Sequence, residues 1–131
     1  MMSGTNKNVI ITKAARKKLV QARAGAIVLP RIVGMAFGCG GVDESGTVIP
    51  PAESQSELAN EIFRKEIDGY SFPSETICRY ECTLDVNELV GEEISEVGLY
   101  DEDGDIVCIK TFTRKGKDAD VEQTYVLDDI F

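Results

Sequence analysis

Asp101, Asp103 and Asp105 alternate through an Asp-Gly turn, and hard oxygen ligands at that spacing could hold a calcium ion. A calcium loop of the EF-hand kind needs Gly at its sixth position for a sharp turn and a bidentate Glu at its twelfth. Counted from Asp101, this chain has Gly104 fourth and Phe112 twelfth. Weak calcium binding therefore stands beside a simpler reading, in which the three acids are the solvated tip of a hairpin.

Other chemistry finds less support. The chain has no histidine, so the usual proton carrier and the commonest transition-metal ligand are both missing. Ser-Lys pairs and carboxylate dyads remain formally possible, but no spacing singles one out from the general excess of acids. Cys39, Cys78, Cys82 and Cys108 match neither a C-x-x-C motif nor a zinc-ribbon pattern. Cys78 and Cys82 fall on one face of an expected strand, about 13 Å apart at ~3.3 Å per residue, too far for one disulfide or one metal. They read as buried thiols made in a reducing compartment. Gly34, Gly38, Gly40 and Gly41 do not end in the Gly-Lys-Ser/Thr of a phosphate loop, and Asp43 stands where a dinucleotide fingerprint requires Gly. No catalytic residue, metal or cofactor is expected, and the glycines are read as places of tight turning or close approach to another chain.

Charge is divided unevenly. The first 42 residues hold Lys7, Lys13, Arg16, Lys17, Lys18, Arg23 and Arg31 with no acid, leaving seven bases against 23 acids, or −16, in the remainder. The two parts attract each other within or between subunits. Nucleic acid is disfavoured by the net charge of −9 and by the lack of aromatic residues among these bases. No apolar run reaches the roughly 18–20 residues of a membrane-spanning helix, and no secretory pattern opens the chain, so a soluble protein is expected. The alternative to a purely structural role is a small binding domain for calcium or for an anion near the bases.

The elements that would position these groups read as one α+β domain over residues 1–131, with residues 1–8 flexible. It would have an antiparallel sheet, with an N-terminal helix and a second short helix on one face. Thr12 can cap a helix to about Ala24, with Gly25 as its stop and Ile11, Ala15, Leu19 and Ala22 as its inward stripe. A strand follows over 26–37, at an edge or broken at Pro30, which lacks an amide donor. Gly38 to Pro51 reads as a mobile loop. Ser54 and Glu57 form a capping-box signature for the second helix, with Leu58, Ala59 and Ile62 inward. Strands are expected over 63–70, over 76–86 where apolar and polar residues alternate, and over 121–131. Asp103-Gly104 suggests a two-residue type I′ turn between the arms of a hairpin.

That hairpin, Glu96-Val-Gly-Leu-Tyr-Asp-Glu-Asp-Gly104 with an apolar strand behind it, resembles the hairpin of the phage tail-collar fibre family, the N-terminal domains of bacteriophage tail fibres. Ile11-Thr12-Lys13-Ala14 with Leu19 and Ala24-Gly25 is similar to the family's opening helix. Pro30-Arg31-Ile32 with Gly38 and Gly40 is similar to its following strand and glycine turn, and Leu58 to Arg64 to its next block. The blocks come in family order and cover nearly the whole chain. Ala15, Pro30 and Cys39 depart from the family's usual residues. Members usually continue into a fibre shaft and receptor-binding tip, whereas this sequence stops at Phe131, so host recognition by this chain is not expected. The resemblance implies a non-enzymatic virion protein of a phage or prophage, made in the bacterial cytoplasm, joining a fibre to the tail or baseplate as a homo-oligomer, with a trimer favoured. The partner contacts are expected at Lys13, Arg16, Lys17 and Arg23 on the helix and at Gly38, Gly40 and Gly41 in the loop.

Overall fold

The computed structural model describes residues 8–131, so most of the stretch expected to be flexible, residues 1–7, lies outside the described residues. Among the described residues, eight strands and one helix follow in the order β1 (Val9–Ile11), α1 (Lys13–Arg23), β2 (Ile32–Gly38), β3 (Glu61–Glu66), β4 (Gly69–Ser74), β5 (Ile77–Leu84), β6 (Glu93–Asp101), β7 (Ile106–Gly116) and β8 (Gln123–Ile130). They form a five-stranded sheet, β1-β7-β6-β2-β3, and a three-stranded sheet, β4-β5-β8, with antiparallel pairing throughout. The main core lies between the sheets, and a smaller cluster of Ala36, Leu58, Ile106 and Ile109 involves the larger sheet alone. Met35, Phe37, Val97, Leu99 and Cys108 of the larger sheet meet Cys82, Leu84, Tyr125 and Leu127 of the smaller. The Tyr125 ring is 5.3 Å from Phe37 and 5.9 Å from Phe112.

The helix forms as its ends dictate. Thr12 has extended backbone, and its Oγ1 accepts from the Ala15 amide at 3.2 Å while donating to the Ile106 carbonyl at 2.8 Å, so one hydroxyl caps α1 and ties it to β7. At the other end Gly25 takes φ +83°; the Gly25 amide bonds Ala22 and the Ala26 amide bonds Gln21, closing a Schellman cap.

The architecture is mainly β, which corrects the expected α+β fold with two helices. Among the described residues α1, of 11 residues, is the only α-helix, and the segment after Ser54 turns without winding. Its apolar stripe was only Leu58, Ala59 and Ile62, too short to offset the cost of nucleation. The Gln55 side chain instead accepts from Ala52 and donates to Glu57, and the Ala59 and Asn60 amides go to Glu96. Leu58 is buried as expected, but from a loop; Ala59 is exposed.

Three further differences have local causes. Pro30 does break its segment: residues 26–31 are not strand, and β2 begins at Ile32 as an interior strand. The expected strand over 63–70 is two strands, β3 and β4, with a turn at Ile67 and Asp68. The hairpin loop is three residues long. The Gly104 amide donates to Asp101 at 2.8 Å and the Asp101 amide to Asp105 at 3.0 Å, which leaves residues 102–104 as the loop, and only Gly104 of these has positive φ, so a three-residue turn with a left-handed last residue takes the place of the type I′ turn.

Candidate interaction site

The acidic hairpin tip already holds a cation, one supplied by the chain itself. Lys18 lies three residues after Ala15, on the inward stripe of α1, and its Nζ donates to Asp101 at 2.7 Å, Asp105 at 2.8 Å and Asp103 at 3.1 Å. Burial works to lower the lysine's pKa, but its hydrogen bonds to the three carboxylates override it and hold the ammonium above its ordinary value. Asp101 is itself buried and also accepts from the Asp103 and Asp105 amides. The carboxylate oxygens lie within 4.8 Å of one another, close enough for a calcium ion, but any ion must displace the ammonium first.

A second buried carboxylate fastens the glycine loop. Glu96 is 1% exposed in β6, yet its Oε1 accepts from the Ala59 amide and its Oε2 from those of Gly40 and Asn60, all at 2.8 Å. These charge-assisted bonds satisfy backbone donors that a loop could otherwise give only to water. The Gly41 amide donates to Ser95 Oγ at 2.9 Å, and a Cβ on Gly41 would lie 1.9 Å from the Ser95 carbonyl oxygen. One on Gly38 would lie 2.5 Å from both Asn60 and Glu96 oxygens. The close approach expected of Gly38, Gly40 and Gly41 is thus made to β6 and the 58–60 segment of the same chain. Farther out, Asp43 accepts from Ser45 and Thr47, and Val42 bridges Val48, so the segment expected to be mobile is extensively bonded.

Of the helix bases singled out in the sequence, Lys13, Lys17 and Arg23 point outward and form no salt bridge among the described residues. Arg16 pairs with Glu53 at 2.8 Å, both side chains being more than half exposed, a geometry worth little in water. The helix therefore divides its bases: Lys18 is spent internally, and the outer face remains in solvent. Next to that face lies exposed hydrocarbon, with Val20 70% and Val28 93% accessible.

Cys39, Cys82 and Cys108 are poor nucleophiles. Burial pushes Cys82 up to about 12 and Cys108 higher still, while burial and the nearby Glu92 raise Cys39. All four cysteines are free, with Cys82 and Cys108 buried and the other two partly so.

Sequence reasoning missed both the Lys18 clamp and the Glu96 anchor. A lysine on the inward stripe of a helix, and a glutamate inside an apolar strand run, were the available signals, since a buried charge demands a partner.

No curated protein and no solved structure matches the chain. Among protein-family models, that of the phage tail-collar fibre protein N-terminal region matches residues 4–127. The match spans the anchored loop, the clamped hairpin and α1 alike, and the chain belongs to the phage tail-collar fibre N-terminal family.

Proposed function

We propose that residues 1–131 act as a single non-enzymatic attachment module of a phage or prophage tail, joining a fibre to the tail or baseplate through protein contacts. The observation that carries the reading is the division of bases on α1. Lys13, Lys17 and Arg23 are exposed and without salt bridges among the described residues, on a chain of net charge −9. Family membership supports a structural role in the tail. The outer helix face docks against an acidic surface of a neighbouring subunit or baseplate protein. The loop anchored by Gly38, Gly40 and Gly41 forms the second contact, held to one shape by Glu96 so that little order is lost on binding. The assembled form is a homo-oligomer, a trimer by family analogy, in the virion tail after synthesis in the bacterial cytoplasm.

Co-purification with the protein of the neighbouring gene, followed by a salt titration read by light scattering, tests this. Assembly that weakens steeply with ionic strength supports docking by the basic face. A chain that stays monomeric and alone at all salt concentrations counts against it. The alternative of a small calcium-binding domain would replace it if calorimetry found saturable Ca²⁺ binding that Asp103→Ala removes.

A further inference from the structure

A pocket opens where the inner side of α1 meets the end of β8. Leu19, Leu29 and Phe131 contribute to its apolar wall, and its charged members are Lys18, Asp101 and Asp129. Lys18 and Asp101 are bonded to each other, and the lysine is further engaged by Asp103 and Asp105. Asp129 is different. Its carboxylate makes no hydrogen bond or salt bridge among the described residues, although its neighbour Asp128 is held in a two-point pair by Arg79 at 2.9 and 3.1 Å. Burial lifts the Asp129 pKa to about 6, the pocket's lysine being engaged by three other carboxylates. At neutral pH the pocket thus contains an ionised, poorly solvated carboxylate against hydrocarbon. Its rim is apolar and open, with Leu29 46% and Phe131 63% exposed.

A small metal ion or ammonium would satisfy the charge and leave that rim wet. A lysine or arginine satisfies both, because its head is cationic and its stem is a hydrocarbon chain that covers apolar surface. We propose that this pocket receives a lysine or arginine side chain presented on an apolar segment of a partner protein, with the head at Asp129 and the stem between Leu29 and Phe131. A different, basic protein is the better occupant of this pocket, since a chain of net charge −9 attracts it, and the contacts of the homo-oligomer are made elsewhere on the surface. The inference does not depend on the basic outer face of α1, which would select a partner of opposite charge.

The test uses n-butylguanidinium as the probe on the isotope-labelled full chain, with backbone amide shifts followed at pH 7.5 and pH 5. The expected result is saturable movement of Leu19, Leu29 and Phe131 amides at pH 7.5, weakened about tenfold at pH 5 and by Asp129→Asn. The titratable groups around Asp129 are Lys18 and Asp101 in the pocket wall, Cys78 directly opposite it on β5, and the nearby Cys108 and Tyr80. Burial raises the Cys108 thiol and the Tyr80 phenol, keeping both neutral across this range, and Lys18 stays charged. n-Butanol serves as the uncharged control. Equal binding of n-butanol, binding indifferent to both Asp129→Asn and pH, or no saturable movement at all would each overturn the proposal. A dimer seen by light scattering and dissolved by Asp129→Asn would make a second copy the occupant, and overturn the assignment to a different protein. The pH comparison on the unaltered chain decides the matter if Asp129→Asn fails to fold.

Discussion

Glu96 and Asp129 are carboxylates on strands of the two different sheets, and their surroundings give them opposite uses. Glu96 is almost wholly enclosed, but the glycine loop and the segment before β3 bring it three amides, so its charge holds the chain's own backbone. Asp129 faces side chains of α1 and the chain end, where the wall is hydrocarbon and the nearby lysine is already engaged. What decides between fold and contact is therefore the supply of unclaimed donors around a charge, more than its depth. The Glu96 site is closed by internal bonds, and the Asp129 site retains a charge and an apolar rim that can still be satisfied from outside.

If that contrast is right, the largest loss of stability belongs to Glu96→Ala. Three amides lose their buried acceptor, and each backbone donor left unsatisfied costs ~1–3 kcal/mol until water reaches it. A loss of about 4 kcal/mol is expected in urea unfolding, with faster hydrogen exchange at Gly40, Ala59 and Asn60. Exchange unchanged at those three amides would remove the anchor from the comparison. Lys18→Met comes next. It leaves Asp101 buried without its cation, but Asp103 and Asp105 are more than half exposed and regain water, so about 2–3 kcal/mol is expected, less than for a fully enclosed pair.

Asp129→Asn should act in the opposite direction. A carboxylate with a pKa of about 6 in the folded protein and ~3.9 when unfolded binds more protons in the native state between those values. Its contribution to stability is therefore lost as pH rises from about 4 to 6, and the destabilisation is complete above that range. Replacing it with Asn is expected to stabilise the protein by about 1–2 kcal/mol at pH 7.5, after allowance for the water the side chain retains, and by almost nothing near pH 4. Equal gains at both pH values, measured by thermal unfolding, would show that burial of charge is not the cause.

Local rules made α1 legible, because Thr12, Gly25 and the Ala15 stripe act over three or four residues. They also made β5 legible, because one of its faces is covered and Cys82 and Leu84 alternate with polar neighbours. The same rules misread the segment after Ser54, where a capping signature is overruled by a glutamate 36 residues away in the sequence. β1 was absorbed into the helix stripe through Ile11, and β4, with Gly69 and Pro73, has too little β character to announce itself; each is visible only through its partner strand. Of the candidate site, the basic face could be read from residue types and helical spacing. The Lys18 clamp, the Glu96 anchor and the Asp129 pocket could not, because each depends on which residues the sheet brings together across the sequence.

Lys17→Glu probes the region with the least to do for the fold. The side chain is exposed and forms no salt bridge among the described residues, so unfolding should change by no more than ~0.5 kcal/mol, unlike the substitutions at Glu96, Lys18 and Asp129. Lys17 is also adjacent in sequence to Lys18, whose loss is costly, and the pair therefore separates the two faces of one helix at the smallest possible distance. The reversal of charge should nevertheless slow association with an acidic partner severalfold at low salt and much less at high salt, because an exposed charge acts mainly through long-range attraction. An unchanged association rate at low salt, with stability also unchanged, would mean that the outer face of α1 is merely solvated and that contact is made elsewhere on the molecule.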